Sequence, residues 1–387
     1  MTGSAVEVIA ARIHREGSIA FDTFMELALY EPEVGFFAQG YGAGRSGRDF
    51  VTSPEIGSTF GACVARALDR TWESFGRPDP FLVAEAAAGS GRLAREILRA
   101  APACLAALRY VLIEKSASLR ARQRELLQVE PADEALGPFT RQAREDELLP
   151  VAASGPVFAS LTELPDLPVD SMVFANELLD NLPVGIAQWD GARWQELRVT
   201  MEGGTFAEIA VPATEMDAAA FAPVVAGKQL RPGTRLPIPR GIERWLDDCA
   251  RALPSGIVTL VDYFVDVDEL LDRDNAWLRT YRAHGTGTEP LRDPGTQDIT
   301  ADVLREQVAR AAHSVGFAIV EERTQADWLR DLGIDALAEE ARATWDAGAA
   351  RGDLEALAAR SRVGEVAALT DPTGLGAHRV VVLGRNV

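Results

Sequence analysis

At 387 residues, 47% hydrophobic and 25% charged, the chain can bury one large core or two modest ones, which argues against wholesale disorder. Its net charge of −19 repels phosphate backbones and anionic lipid, which argues against nucleic acid and membrane as partners; it leaves room for a cationic partner and serves solubility equally well. Cys63, Cys104 and Cys249 are scattered without a C-x-x-C, and His14, His284, His313 and His378 without pairing, so neither a disulfide framework nor a metal site is expected, as suits a reducing cytoplasm.

The opening "MTGSAVEVIAARIHREG" lacks the apolar run of a signal peptide, and its mixed charges do not suit a transit peptide. No stretch approaches the roughly 20 apolar residues of a membrane span. A soluble cytoplasmic protein is expected, and the excess of Arg over Lys reads as bacterial codon bias. Residues 4–30 predict helices, with Ile9, Ile13, Phe24 and Leu27 at helical spacing and Ser18 as a cap. The Gly-rich, aromatic stretch 30–61 predicts a functional loop, and a helix follows over about 57–75. Short apolar runs then alternate with helical segments: "PFLVAEA", "LRYVLIE", "GPVFASL", "DSMVFAN", "SGIVTLVDYF", "GFAIVEE" and "HRVVVLG". Seven such strands predict an α/β fold with a largely parallel sheet covered on both faces. Residues 185–254 interrupt the rhythm with a hairpin-like "AQWDGARWQELRVT" and a Pro-rich piece; a shorter insertion covers about 266–300. A capped helix precedes the sixth strand, and residues 326–363 predict Ala-rich helix.

Strand, glycine loop, helix is an arrangement in which backbone N–H groups and a helix N-terminus face a polar ligand. Gly89-Ser90-Gly91-Arg92-Leu93-Ala94 fits the loose dinucleotide fingerprint G-x-G-x-x-A, and Glu114 closes the next strand where a ribose-holding acid belongs. A nicotinamide cofactor is therefore one reading, and a turn that only lets helix pack on strand is another. Glu85, at the end of the first strand, separates the nucleotides. A carboxylate there opposes dinucleotide phosphates but suits the ammonium and sulfonium of S-adenosyl-L-methionine.

A second marker is "VFANELLDNLPVG", whose Asn176, Glu177 and Asp180 fall where the fourth strand runs out, on the ligand-binding edge of open α/β sheets. The same residues fit an ordinary helix N-cap with acids on the helix dipole. Beside a methyl donor they fit the positioning of an acceptor.

These segments resemble the MidA-like methyltransferases, along nearly the whole chain. "FMELALYEPEVGFFAQ" and "GRDFVTSPEIGSTFG" are similar to that family's N-terminal signature, "EAAAGSGRLAREIL" to its donor loop and "YVLIEKSASLRARQRELL" to its ribose strand and helix. "VFANELLDNLP", "RTYRAHGTGTEPLRDPGTQDIT" and "TGLGAHRVVVLG" match in order. Two departures stand out: Ala87 where members carry glycine, and Asp262-Tyr263-Phe264 where they carry Asp-Tyr-Gly. The resemblance implies a seven-stranded, Rossmann-like class I methyltransferase sheet over residues 78–387, with an N-terminal helical lobe over 1–77 and an inserted lobe. It implies S-adenosyl-L-methionine against Gly89 and Gly91, with Glu85 towards the methionine amine and Glu114 on the ribose. Lys115, Ser160, Leu161 and Asn176 are added as cofactor neighbours.

The activity implied is methylation of a protein arginine, linked in mitochondria to assembly of respiratory complex I; a small-molecule metabolite is the alternative acceptor. The partners are then a methyl-acceptor protein or small molecule, no nucleic acid and no membrane, with a homodimer admissible. Ala87 also admits an assembly factor that binds the cofactor without turnover, against which Glu85, Glu114, Asn176 and Glu177 all remain. Without a Cys or His constellation, transfer should be direct. Glu177, supported by Asp180, would orient a guanidinium and take its proton. The loop 46–60 would close over the donor on the hinge "GYGAGRSG", bringing Thr52, Ser53 and Glu55 near the methyl. His284 is a weaker candidate on the acceptor side.

Overall fold

The computed structural model of the chain describes residues 3–39, 52–132, 136, 155–167, 170–282, 285–348 and 354–387. It divides into two compact units: one of Val51–Glu177, Cys249–Asp262 and Phe317–Val387, the other of Met1–Phe50, Leu178–Asp248 and Tyr263–Gly316.

The first unit is built on a sheet of β1 (Phe81–Ala86), β2 (Leu108–Ile113), β3 (Val129–Glu130), β4 (Val157–Leu161), β5 (Ser171–Asn176), β6 (Gly256–Asp262), β7 (Ala318–Thr324) and β8 (Arg379–Arg385). Their order is β7-β8-β6-β5-β1-β2-β4-β3. All seven expected strands are present, and the sheet gains β3, two residues too short to show a pattern in sequence. Only β8 runs against the rest, pairing antiparallel with β6 and β7. Every residue of β1 is buried, as a central strand covered on both faces requires. Around the sheet lie α1 (Ser53–Ile56), α2 (Ser58–Ser74), α3 (Arg92–Ala100), α4 (Ala117–Leu126), α5 (Gln325–Asp331), α6 (Ile334–Gly348) and α7 (Leu354–Leu369). The expected single Ala-rich helix is thus divided, first at Gly333, whose φ of 81° stops α5. Phe60, Phe81, Tyr110, Phe158, Phe174 and Trp328 are the large side chains of this unit's core.

The strand order fixes where function can sit. From β1 the chain crosses to β2 on one side and later returns to β5 on the other, so the order reverses between β1 and β5. In open α/β sheets, ligands bind outside the carboxyl ends of the strands at such a reversal.

The second unit carries its own sheet, in which Ile19–Ala20, Trp194–Glu202, Gly185–Trp189 and Arg235–Ile238 lie in that order and Thr205–Pro212 adds to Trp194–Glu202. The hairpin Gly185–Trp189 to Trp194–Glu202 turns at Gly191, with φ of 106°, and Trp189 meets Trp194 edge-on at 5.4 Å. Its first helix, Ala5–Glu16, is capped by Ser4 in a reciprocal box with Glu7. Ser18 caps nothing: the next helix starts after Ala20, and the Ser18 hydroxyl instead accepts from Arg198 Nε at 3.1 Å. The helix before the sixth expected strand, Arg305–Ser314, likewise begins without a side-chain cap. No helix among the described residues is long and apolar enough to cross a membrane.

One long-range contact holds α2 in place. Its N-cap, Gly57, offers no side chain, and the Glu365 carboxylate of α7 accepts instead from the Thr59 N–H at 3.1 Å and hydroxyl at 2.6 Å. A Cβ on Gly57 would lie 2.0 Å from the Glu365 carboxyl carbon. Removing the carboxylate leaves buried donors unmatched, so Glu365→Ala should lower the unfolding free energy by about 1–3 kcal/mol in denaturant titrations. Gly57→Ala should destabilise through collision with the same group, and unchanged midpoints in both variants would refute this account.

Candidate active site

The loop after β1 needs left-handed backbone at Ala87 (φ 55°), Gly89 (φ 53°) and Gly91 (φ 81°). The two glycines meet it for different reasons. A Cβ on Gly89 would project into open space, so the backbone there can be approached closely. A Cβ on Gly91 would press on Leu112, Gln123 and Leu127 at 3.2–3.3 Å, so this glycine seats α3 against the sheet.

Side chains from neighbouring elements hold the loop. Glu114 accepts from the Gly89 N–H at 3.0 Å and from the Ser116 N–H at 2.8 Å. Burial raises its carboxyl above the ordinary value against those two hydrogen bonds. Gln123 donates to the Gly89 carbonyl at 2.8 Å and accepts from the Ser160 hydroxyl at 2.6 Å. Gln123 is the buried residue of α4, and nothing in "LRARQRELL" distinguishes it from its polar neighbours. Gly89, Glu114 and Ser160 thus come together, and Leu161 joins them through its carbonyl, which accepts from the Glu114 N–H at 2.9 Å. Lys115 is exposed, and its carbonyl accepts from Arg120 at 2.7 Å. Glu85 is buried and accepts from the Tyr110 hydroxyl at 2.9 Å. Burial pushes its carboxyl up to about 8, while the Tyr110 hydrogen bond lowers it and the Glu114 charge raises it.

The Asn-Glu motif caps no helix. Beyond β5 the chain forms only a tight turn over Leu179–Asn181, so the capping alternative falls away. Glu177 itself takes a left-handed φ of 52°, and its N–H donates to the Val261 carbonyl at 2.8 Å. Its Oε1 accepts from the Asn176 amide at 3.0 Å and from the Ser53 N–H at 3.2 Å. Glu177 Oε2 and Asn176 Oδ1 are both out of solvent and find no hydrogen-bond partner among the described residues. Burial pushes the Glu177 carboxyl up to about 8, with Ser53 and Asn176 opposing and the Asp262 charge adding to the rise.

The short helix α1 therefore brings Ser53 to Glu177. Two residues on, Glu55 pairs with Arg92, the first residue of α3, at 2.9 Å. Thr52 is the N-cap position of α1 and makes no side-chain cap bond. Asp180 is buried and belongs to the other unit, where its neighbour Asn181 donates to Asp298 at 2.9 Å. His284 and residues 46–51 of the expected lid, hinge included, lie outside the described residues.

Ala87 occupies a conformation that costs an L-residue about 1–2 kcal/mol, whereas glycine loses about 0.5–1 kcal/mol more chain entropy on folding. The steric cost outweighs the entropic one. Ala87→Gly should therefore raise the unfolding free energy by about 0.5–1 kcal/mol. A lower melting temperature in that variant would contradict the left-handed loop.

Residues 63–321 match the model of a family of S-adenosyl-L-methionine-dependent methyltransferases. The mitochondrial protein arginine methyltransferase NDUFAF7 homolog of Drosophila melanogaster is 29% identical over 81% of this chain and 71% of its own length. The NDUFAF7 protein of Mus musculus is 27% identical over 84% and 73%. Among solved structures, a Burkholderia thailandensis protein bound to S-adenosyl-homocysteine superposes with a TM-score of 0.78 at 26% identity, covering 98% of this chain and 92% of that one. The chain belongs to the MidA-like family and is an S-adenosyl-L-methionine-dependent methyltransferase.

Proposed function

We propose that the chain transfers the methyl group directly to a guanidinium nitrogen of a protein arginine. The observation that carries this reading is the pair Glu177 Oε2 and Asn176 Oδ1, buried acceptors on consecutive residues that find no donor among the described residues. A group rich in N–H donors suits that pair, and guanidinium presents five in a rigid fork. The relatives named as protein arginine methyltransferases support the same acceptor. A net charge of −19 favours a cationic protein segment over nucleic acid.

The loop residues fit the cofactor: Gly89 leaves its backbone open, and each Glu114 oxygen, holding one backbone N–H, keeps a lone pair for a ribose hydroxyl. When bound, the cofactor supplies an electrophilic methyl. Gly89, Gly91, Glu114, Ser160 and Leu161 would hold it, with Lys115 alongside and Glu85 answering its ammonium charge. Asn176 would bridge donor and acceptor sides, and Thr52, Ser53 and Glu55 would border the acceptor. Glu177 would orient the guanidinium and take the proton released as the new bond forms.

Methyl-labelled S-adenosyl-L-methionine incubated with cell extract should give labelled protein that yields methylarginine on acid hydrolysis. Label confined to the small-molecule fraction would make the acceptor a metabolite. Glu177→Gln should remove most turnover and leave cofactor affinity nearly unchanged, and wild-type turnover in that variant would reject the role given to Glu177.

The pH dependence has a defined sign. Glu177 must be ionised to act, and its carboxyl is pushed up to about 8, so kcat/KM should rise with pH towards a midpoint near that value. Stability should run the other way. Raised carboxyls stabilise the fold fully below their ordinary value of about 4.5, and that contribution is lost as pH rises through about 8. A kcat/KM flat from pH 6 to 9 would count against an acting carboxylate.

A further inference from the structure

We propose that Gln325 is a positioning residue for Glu177, acting through Ser53 to keep a backbone N–H aimed at the Glu177 carboxylate. The proposal rests on the reading of Glu177 as the carboxylate that orients the acceptor. Its basis is an unbroken chain of hydrogen bonds within one unit. Gln325 is fully buried at the start of α5, and its own N–H donates to the His378 carbonyl at 2.6 Å. Its side-chain amide donates to the Leu369 carbonyl, at the end of α7, at 3.2 Å. That bond decides which way the amide faces, leaving Oε1 to accept from the Ser53 hydroxyl at 3.0 Å. Ser53, also fully buried, is thereby pinned at the first position of α1, where its N–H reaches Glu177 Oε1 at 3.2 Å.

A helix of four residues has little rigidity of its own, because nucleating a turn fixes several dihedrals for one hydrogen bond. The hydroxyl link from Gln325 therefore sets the aim of the Ser53 N–H. That N–H favours the charged form of Glu177. Among the described residues, the charge acting on Glu177 is that of Asp262, at the end of β6, which opposes ionisation. His378, beside Gln325 in the network, is held by burial near 4 and stays neutral in the working range. A purely structural glutamine would contribute to folding and have no reason to influence the ionisation of a carboxyl 148 positions away (325 − 177).

The test titrates Glu177 in the protein without acceptor, as the pH-difference infrared band of a protonated carboxyl that Glu177→Gln deletes. Gln325→Ala should move the midpoint of that band up by about one unit. Turnover at neutral pH, measured with methyl-labelled S-adenosyl-L-methionine and an arginine-containing peptide pool, should fall about tenfold with cofactor affinity unchanged, since the ionised fraction drops in that ratio. Gln325→Glu, which keeps an acceptor for the Ser53 hydroxyl, should recover more turnover than Gln325→Ala. If Gln325→Ala does not fold, Ser53→Ala cuts the link from the other end and should give the same upward shift. An unmoved midpoint overturns the proposal, whatever the melting temperature does. Wild-type turnover in Glu177→Gln, by contrast, overturns the catalytic reading beneath it and leaves the Gln325 link to be decided by the midpoint alone.

Discussion

The site depends on the pairing of β1 with a parallel neighbour on each side. Ala86, its last residue, stands opposite Ile113 of β2 and Ala175 of β5. A slip of one residue would exchange the side chains packed against the two covered faces of this buried strand, so the register is tightly held. The consequence is that three loops leave the sheet at one edge. The glycine turn after β1, Glu114 after β2 and the Asn176-Glu177 pair at the end of β5 all leave from that edge. The helices adjust this arrangement: Gln123 from α4 steadies the glycine turn, and Ser53 from α1 steadies Glu177.

The site is costly for the fold that makes it. Glu85, Glu114 and Glu177 are all raised by burial, which means each is held in surroundings that penalise its charged form. Burying an ionisable group without a countercharge is unfavourable, and the hydrogen bonds from Tyr110, Gly89, Ser116, Ser53 and Asn176 offset it only in part. An apolar residue at any of the three would pack at less cost. Carboxyls clustered at a ligand-binding edge and poised away from their ordinary value are instead what acid-base and charge-matching chemistry requires.

Much of this could be read from the amino-acid order because it is local. The apolar runs marked seven strands of the first unit's sheet, and in that sheet the two-residue Val129–Glu130 carried too little pattern to be found. Strands such as Thr205–Pro212 and Arg235–Ile238 of the second unit were not marked. Two glycines after a strand marked the loop, and Ala87 marked itself as a departure that proves to sit at φ 55°. What could not be read is contact across distance. Gln123 and Gly89 lie 34 residues apart, Glu177 and Ser53 124, and Gln325 and Ser53 272. Nothing in a glutamine's neighbours says which carbonyl its amide will find. The Asn-Glu pair shows a different difficulty: its composition fits a helix cap equally well, and only the left-handed turn at Glu177 separates the two. Ser18 failed as a cap because Arg198, on a distant strand, took its hydroxyl.

The charge balance of the proposed guanidinium methylation explains why a raised carboxyl would suit this position. Sulfonium and guanidinium are both cations, and bringing them to contact in a dry site is repulsive unless negative charge stands nearby. A carboxylate that was ionised at all times would meet that need but would hold a released proton poorly at neutral pH. Glu177, pushed up to about 8, would serve at both stages. The approach of a cation favours its ionised form, so negative charge would develop as a guanidinium arrived. Methylation of the guanidinium would release one proton from the methylated nitrogen and lower the cationic charge beside Glu177. With the cationic charge of the site reduced, the carboxyl returns towards its raised value and can keep that proton. Ser53 and Asn176 set the balance, since their hydrogen bonds to Oε1 limit how far burial can raise the group while leaving Oε2 for the acceptor.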